Sequence, residues 1–98
     1  MQFIIRAYDG ENMLNKRMEV RLRHLENMAK VSGKVICAGG LLDEEGKMKG
    51  FVLIMEFDDR AGLDQYLASE PYITEHVWEK VEVDSMNVVI LNGEKIGK

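Results

Sequence analysis

The chain has a single cysteine, Cys37, among its 98 residues. One thiol cannot form an intrachain disulfide, and small secreted domains usually depend on several disulfides for their stability. Cys37 stands in the apolar run KVICAGGLL, a setting typical of a small residue buried in a strand. The cysteine content therefore argues against a disulfide-rich extracellular domain.

Long apolar runs are also missing. No stretch approaches the roughly 20 apolar residues of a membrane-spanning helix. The opening MQFIIRAYDG lacks the basic start and the apolar run of about 7 to 15 residues that a signal peptide needs. Together with the lone thiol, these absences predict a cytoplasmic protein without a membrane partner.

Basic residues are outnumbered, at 13 against 17 acidic residues, and the net charge is -4. Nucleic-acid-binding proteins instead carry clustered Lys and Arg on one face. The basic cluster formed by Lys16, Arg17, Arg21 and Arg23 has no interleaved aromatic residues. We therefore expect no nucleic-acid partner.

Histidine is scarce as well, since His24 and His76 are the only two. They do not form H-x-x-x-H or another ligand spacing typical of zinc sites. The pair Gly39-Gly40 is not part of a G-x-G-x-x-G pattern, which dinucleotide-binding turns use. The sequence thus predicts neither a metal nor another cofactor.

Segments with the periodicity of strands and of helices follow one another along the sequence. The chain is long enough for one domain. The predicted elements are strand 2–8, helix 11–32, strand 34–43, strand 48–57, helix 60–69 and strand 78–91. The order βαββαβ is that of an α+β, ferredoxin-like sandwich with helices on one face of an antiparallel sheet. We expect this domain to cover residues 1–91, followed by a loose polar tail over 92–98.

The long helix has two neighbouring stripes of residues at steps of three and four. The stripe predicted to be buried consists of Leu14, Met18, Leu22, Leu25, Ala29 and Ser32. The stripe beside it consists of Arg17, Arg21, His24 and Met28. This arrangement predicts that His24 lies at the margin of the core, facing a cleft between helix and sheet.

The second and third strands are apolar on both faces over much of their length. The second strand is expected to be covered on both faces. An apolar sheet face that no other element covers is usually a site of protein–protein association. Two such sheets packed face to face would close a dimeric α/β barrel, so we predict a homodimer through the open sheet face.

His24 is the residue best suited to chemistry. An imidazole changes its charge near neutral pH, and a neighbouring carboxylate can tune it for proton transfer. The alternative is a structural role, in which His24 only forms a hydrogen bond with a neighbouring residue. Because no activated nucleophile motif such as G-x-S-x-G is present, the pattern favours acid–base work on a small molecule over nucleophilic catalysis.

Arginines and aromatic residues offer further candidates. Arg17 and Arg21 are placed to hold a substrate carboxylate or enolate, because a guanidinium binds oxyanions bidentately. Alternatively, the two arginines lie on a solvent-exposed edge of the helix or form salt bridges with glutamates. Tyr72 and Trp78 either wall a pocket or are core aromatics.

Four short motifs resemble those of the YCII-related family, over about residues 1–90 of the chain. In order, the matching residues are Arg21, His24 and Leu25 for an R-x-x-H-L run, Ala38 and Gly39 for an A-G-P turn, Gly50 for a glycine before the third strand, and Pro71 with Tyr72 for a D-P-Y segment. Each motif alone is weak, but four in order at compatible spacing are fairly specific.

The resemblance implies a dimeric ferredoxin-like α/β barrel with a pocket around a His–Asp pair. The family histidine falls on His24. The family aspartate falls on Glu70, a departure that keeps the carboxylate and adds one methylene. The chain departs again at Gly40, where the family often has proline, and at His76, where it often has glycine.

Two functions fit these residues. The first is a small acid–base enzyme of the lyase or isomerase type, acting on an activated ring or lactone with His24 and Glu70 as the catalytic pair. Its candidate substrate-binding residues are Arg17, Arg21, Tyr72 and His76. The second is a non-catalytic module that binds a small ligand on the same barrel. A cofactor-free oxygenase is supported by fold-level analogy alone.

Overall fold

Four long strands and two long helices follow one another in the order βαββαβ, and shorter elements complete the fold. The structure, a computed structural model, describes residues 1–97. Its elements are β1 (Gln2–Asp9), α1 (Leu14–Ala29), β2 (Lys34–Leu42), β3 (Met48–Glu56), α2 (Arg60–Ser69), the one-turn helix α3 (Pro71–Thr74), β4 (Trp78–Met86), β5 (Ile90–Leu91) and β6 (Glu94–Lys95). The predicted α+β, ferredoxin-like class is confirmed.

The long strands form one antiparallel sheet with the order β2-β3-β1-β4. Phe3 of β1 lies opposite Met55 of β3 and Ser85 of β4, so these three side chains share a face. Because side chains alternate along a strand, Ile5 and Ala7 lie on that face too. This is the face that the helices cover.

The hydrophobic core lies between that face and the helices. The third strand alternates between the two faces of the sheet: Phe51, Leu53 and Met55 are buried, whereas Glu56 is exposed. The other core residues come from the remaining strands, the helices and the connecting segments: Phe3, Ile5, Ala7, Val20, Phe57, Leu63, Tyr66, Tyr72, Val77 and Trp78. Burial of each large apolar side chain stabilises the fold by about 1.5–3 kcal/mol.

The prediction of which residues of α1 are buried is wrong. Leu14, Met18 and Leu22 are 42%, 59% and 67% exposed. The buried residues of α1 are Arg17, Val20 and His24. The polar members of this set have partners on other elements, which offset part of the cost of burying them. His24 therefore lies inside the core and not at its margin.

The second strand also differs from its prediction. β2 is an edge strand, and most of its residues are exposed. Its run of small residues, Ala38-Gly39-Gly40, has little side-chain surface to bury. Cys37, which was predicted to be buried, is exposed.

The last long strand ends at Met86, five residues before the predicted end. The chain then folds into a small hairpin, in which Ile90 pairs with Lys95. The last residue of the predicted tail, Lys98, lies outside the described residues. Asn92 and Gly93 form the turn of the hairpin with φ of 52° and 80°, the backbone that Asn-Gly favours in tight hairpins. None of the helices described between residues 1 and 97 is long and apolar enough to span a bilayer.

Candidate functional site

The chain turns sharply between α2 and α3, and Glu70 stands at that turn. Pro71 is the first residue of α3, and the residue before a proline avoids the helical region. Glu70 accordingly has an extended backbone, with φ -68° and ψ 118°. Its side chain folds back and accepts a hydrogen bond from the backbone N–H of Tyr72 at 3.1 Å, which caps α3. The cap holds the carboxylate in one position inside the protein.

His24 meets this carboxylate from α1. The Nδ1 atom of His24 lies 2.6 Å from Oε1 of Glu70. The exposed fractions of the two side chains are 1% and 0%. The glutamate therefore reaches the imidazole, although the resemblance to the D-P-Y segment leads one to expect an aspartate.

Tyr66 completes the surroundings of the carboxylate. Its hydroxyl donates a hydrogen bond of 2.5 Å to Oε2 of Glu70. Burial and the neighbouring Glu70 carboxylate raise the pKa of Tyr66, so the phenol keeps its proton and remains a donor. With His24 and the Tyr72 N–H on Oε1, both carboxylate oxygens have donors, as an acceptor-only ionised carboxylate requires.

The contact with Glu70 determines which ring nitrogen of His24 carries the proton. Because a carboxylate accepts, Nδ1 donates in the neutral ring and the lone pair is left on Nε2. The Nε2 atom is buried and has no hydrogen-bond partner among residues 1–97. This tautomer presents a proton acceptor at Nε2.

Aromatic rings enclose the imidazole of His24. The Tyr72 ring stacks on it at 4.1 Å between centroids, with 15° between the planes. Phe51 and Trp78 meet it edge-on, at centroid distances of 4.8 and 5.8 Å. Packed rings of this kind restrict rotation of the imidazole, so His24 is held in one orientation.

Arg17 lies two turns before His24 on α1 and is equally buried. Its Nε donates to Oδ2 of Asp9 at 2.8 Å. Its Nη2 donates to the carbonyl oxygen of Gly50 at 2.8 Å, and its Nη1 donates to the Tyr72 hydroxyl at 3.2 Å. A guanidinium has five N–H donors, so two remain beyond these contacts. Arg17 thus fixes β1, β3 and α3 around the histidine.

Gly50 allows this arrangement because it has no side chain. A Cβ at this position would lie 2.3 Å from the carbonyl oxygen of Ala7 on β1. The close approach of the two backbones brings the Gly50 carbonyl within reach of Arg17. The close approach of β1 thus gives a steric reason for a glycine at position 50 of β3.

Asp9 is the counterion of Arg17, and its side chain is 7% exposed. Burial raises the pKa of Asp9, while the charge and hydrogen bond of Arg17 oppose that rise. Its Oδ2 accepts from Arg17, but its Oδ1 is buried without a hydrogen-bond partner in the described part of the chain. One carboxylate oxygen of Asp9 is therefore left unused.

Arg21 is exposed, one turn after Arg17. Burial raises the pKa of the nearby Tyr72 phenol, and the positive charges of Arg17 and Arg21 oppose that rise. Arg21 thus acts electrostatically on the edge of the cluster, and its guanidinium faces solvent.

His76 is exposed between α3 and β4 and has a φ of 60°. A positive φ is most easily adopted by glycine, which explains why the resembling motif has glycine there. Of the predicted site residues, the structure brings together His24, Glu70, Arg17 and Tyr72, and it leaves Arg21 and His76 at the surface.

A protein-family comparison recognises most of the chain, including every residue of this cluster. The model of the YCII-related domain matches residues 1–87. The chain belongs to the YCII-related family. No curated protein gives a significant match to the sequence.

Solved structures share the fold of this YCII-related chain. The 5-chloro-2-hydroxyhydroquinone dehydrochlorinase from Burkholderia phenoliruptrix AC1100, in complex with 2,5-dihydroxybenzoquinone, is 21% identical and has a TM-score of 0.80 over 89% of this chain and 94% of its own. An antibiotic biosynthesis monooxygenase is 18% identical, with a TM-score of 0.60 over 91% of this chain and 98% of its own. These neighbours have the dimeric α/β barrel fold, as predicted from the sequence.

Sequence reasoning missed two members of the cluster in this YCII-related chain, Asp9 and Tyr66. Asp9 stands before Gly10, and an Asp-Gly pair is explained by a turn alone. Tyr66 stands in the apolar stripe of α2, where it looks like an ordinary core residue. Its spacing of four from Glu70 is the signal that could have paired the two side chains.

A groove of about 210 Å³ opens beside Asp9. One wall is the turn before α1, with Asn12 and Met13. The other is the tip of the β2–β3 hairpin, with Lys47 and Lys49. The groove leads from solvent to the Asp9 end of the cluster.

Proposed function

We propose that the protein is an acid–base enzyme of the lyase or isomerase type, acting on a small organic molecule. His24 is the proton carrier, and Glu70 orients its ring. The observation that carries this proposal is the 2.6 Å contact of His24 Nδ1 with Glu70, combined with a buried Nε2 that has no partner among the described residues.

The chemistry follows from that tautomer. Nε2 of His24 removes a proton from a C–H or O–H group of the substrate, and the ring becomes an imidazolium. Glu70 stabilises this cation through Nδ1–H, as a carboxylate does behind a catalytic histidine. The electron pair left on the substrate forms a new double bond. In an elimination a leaving group departs with its own electron pair, and in an isomerisation His24 returns the proton to another atom.

The structural comparison supports this reaction type. The neighbour with a TM-score of 0.80 is a dehydrochlorinase that acts on a chlorinated hydroxyhydroquinone, and loss of a chloride with a proton is an elimination. By this likeness we propose substrates of the same chemical kind, namely activated hydroxylated rings or lactones.

Substrate binding is proposed for the residues around the imidazole. Tyr72 stacks on His24 and accepts from Arg17, so it forms a flat wall. Within residues 1–97, two N–H groups of Arg17 are left beyond its bonds to Asp9, Gly50 and Tyr72. Arg21 and His76, at the surface, are proposed to contact a charged substrate on its way in, because both can carry positive charge.

A non-catalytic binding module is the second candidate. The burial of His24 and the three protein partners of Arg17 favour it, because they hold the cluster closed. Such a module would bind the same kind of molecule without exchanging its protons.

Proton exchange separates the two functions. Enolisable hydroxy acids, lactones and hydroxylated quinones are incubated with the protein in D2O, and loss of their C–H signals is followed by proton NMR. We expect exchange or elimination with the wild type and a loss of roughly 10² to 10⁴ in rate for His24→Gln. Glu75→Gln, a change at a half-exposed carboxylate, is the control. Binding with an unaltered spectrum in every compound would support the module.

We further propose a homodimer through the open sheet face. On that face Ile4 lies opposite Ile54, and both are only half-buried in a single chain. Val52 adjoins them. Light scattering of the wild type should give twice the chain mass of 11.2 kDa. The Ile54→Lys variant should give the mass of one chain. A wild-type monomer at micromolar concentration contradicts the dimer.

A cytoplasmic location is part of the same proposal. Cys37 is exposed and free, and a free thiol persists most readily where the compartment is reducing. Fractionation with the natural host cell tests this, and recovery from the medium contradicts it.

A further inference from the structure

Three buried polar atoms around the histidine lack hydrogen-bond partners within residues 1–97. They are Nε2 of His24, Oδ1 of Asp9 and Nε1 of Trp78. The exposed fractions are 1% and 7% for the His24 and Asp9 side chains and 6% for Trp78. A buried polar group without a partner costs about 1–3 kcal/mol, and three around one cluster call for an explanation.

The three residues adjoin one another. Asp9 on β1 and Trp78 on β4 are register partners across the two strands. Trp78 meets the His24 ring edge-on at 5.8 Å. Asp9 is fixed by Arg17, and Arg17 also holds Tyr72, on which His24 stacks. The unpaired atoms thus belong to one rigid patch and not to scattered defects.

Each atom has a definite hydrogen-bonding character. The Asp9 Oδ1 atom accepts, the Trp78 Nε1–H donates, and His24 Nε2 accepts in the tautomer set by Glu70. A ligand that satisfies all three offers a donor to Asp9, an acceptor to Trp78 and an acidic proton to His24. A hydroxyl can serve Asp9 and Trp78 at the same time, because it both donates and accepts.

We propose that Asp9, Trp78 and His24 form the polar half of a ligand site for a small planar molecule with two adjacent oxygens, at least one of them a hydroxyl. Its other half is aromatic, since Phe51, Tyr72 and Trp78 surround the imidazole. Aromatic walls favour flat ligands. Asp9 and Trp78 are binding residues in this assignment, whereas Arg17 positions Asp9.

The groove beside Asp9 is the route in. It contains Asp9 in its wall and ends against the turn before α1 and the hairpin tip. A ligand that arrives there reaches Asp9, whose buried Oδ1 has no hydrogen-bond partner among the described residues. The groove is lined by charges of both signs, Lys47 and Lys49 on the hairpin side and the carboxylates of Asp9 and Asp43, which suits a neutral hydroxyl compound that can both donate and accept.

This inference rests on the proposed function in one respect only, the tautomer of His24. It deepens that function by assigning the substrate class. The chain offers a specific reporter, because Trp78 is its single tryptophan. The indole N–H therefore gives one resolved cross-peak in a 15N–1H spectrum, and its atom is one of the three in question.

The experiment titrates 15N-labelled protein with catechol and, as the matched control, with 1,2-dimethoxybenzene. Catechol should shift the Trp78 indole cross-peak saturably. The dimethyl ether keeps the ring and the two oxygens but cannot donate to Asp9, and it should bind at least about tenfold more weakly, the loss expected for one hydrogen bond to a charged group. Equal affinity for the two compounds, or saturation without movement of the indole peak, overturns the assignment.

A protein variant gives the second measurement. Asp9→Asn should weaken catechol at least about tenfold and reduce its preference over the ether. Asp64→Asn, the same change at the exposed Arg60 pair of α2, should leave both affinities unchanged. If Asp9→Asn does not fold, the comparison of catechol with the ether on the wild type still decides.

The two proposals fail in distinguishable ways. His24-dependent proton exchange in D2O, together with equal binding of catechol and the ether, would leave the acid–base function standing and remove this ligand site. The opposite result is catechol binding that moves the indole peak and depends on Asp9, without any proton exchange. It would support the ligand site and contradict the acid–base function.

Discussion

Tyr66 and His24 bind opposite oxygens of one buried carboxylate. The Tyr66 hydroxyl donates to Oε2 of Glu70 at 2.5 Å, and Nδ1 of His24 lies 2.6 Å from Oε1. The backbone N–H of Tyr72 also donates to Oε1. The carboxylate is therefore held from both sides, and its two oxygens are not equivalent.

Glu70→Gln should preserve the geometry and remove the charge. The Tyr72 N–H requires an oxygen at the Oε1 position, so the new amide turns its NH2 group toward Tyr66, whose hydroxyl can also accept. His24 then keeps its proton on Nδ1, which long-range 15N–1H spectra detect. Proton exchange by Nε2 should fall by roughly 10² to 10⁴, because the imidazolium loses its counter-charge.

The matched control for that change is Glu75→Gln, which should alter neither the spectrum of His24 nor the exchange rate. An unchanged exchange rate in Glu70→Gln would show that the carboxylate does not support a working base. Transfer of the His24 proton to Nε2 would contradict the expected amide orientation, because the NH2 group would then face His24 and not Tyr66.

Tyr66→Phe should change how stability depends on alkaline pH. The pKa of Tyr66 is raised in the folded protein by burial and by Glu70, whereas an unfolded tyrosine titrates at about 10. Above that pH the unfolded state binds fewer protons than the folded state. The free energy of unfolding then falls with rising pH, by up to about 1.4 kcal/mol per pH unit for one such group.

Without the phenol this loss is absent. Tyr66→Phe should be less stable at pH 7, by about 1.5–3 kcal/mol for a hydrogen bond to a charged group, but its stability should decline less steeply between pH 9 and pH 11. Urea denaturation across that range measures both slopes. Identical slopes in wild type and variant would mean that Tyr66 is not held protonated.

Arg17→Met should be strongly destabilising, because it leaves the Asp9 carboxylate buried without its counter-charge. Breaking a buried ion pair costs about 3–5 kcal/mol. Arg60→Met is the matched control: the Arg60–Asp64 distance of 3.0 Å is close to the 2.8 Å of the buried pair, but its side chains are 58% and 61% exposed. We expect a cost of at most about 1 kcal/mol there. Similar losses in two denaturation curves would contradict the burial of Arg17.

Gly50→Ala should destabilise the central strand pair. The added Cβ would meet the Ala7 carbonyl oxygen at 2.3 Å, and relieving such a contact costs on the order of 1–3 kcal/mol. Gly39→Ala on the neighbouring edge strand is the control, since a Cβ there meets nothing within 4 Å. Thermal melting compares the two, and a Gly50→Ala protein as stable as Gly39→Ala would show that β1 and β3 lie further apart.

The strands and the short helix could be predicted because their signals are local. Alternation places Phe51, Leu53 and Met55 on one face of β3, and Asp59 caps α2 by accepting from the N–H of Gly62 at 3.0 Å. The Asn92-Gly93 turn was an available signal for the last hairpin and was overlooked.

The buried face of α1 could not be predicted in this way. Periodicity assumes that apolar residues face the core and charged residues avoid it. Arg17 and His24 reverse that assumption because their partners are distant in sequence: Gly50 is 33 positions from Arg17, and Glu70 is 46 positions from His24. The family motif located the histidine, while the three-dimensional contacts account for its burial.

The carboxylate of Glu70 belongs to two structures at once, the cap of α3 and the contact with His24. A lineage that abandoned the chemistry would still have a folding reason to keep an acidic residue there, since loss of a helix cap costs about 1 kcal/mol. Persistence of that acid among relatives is therefore poor evidence of an active enzyme. The histidine is the more informative position, because its Nε2 is buried without a hydrogen-bond partner among the described residues and the proposed function depends on that atom.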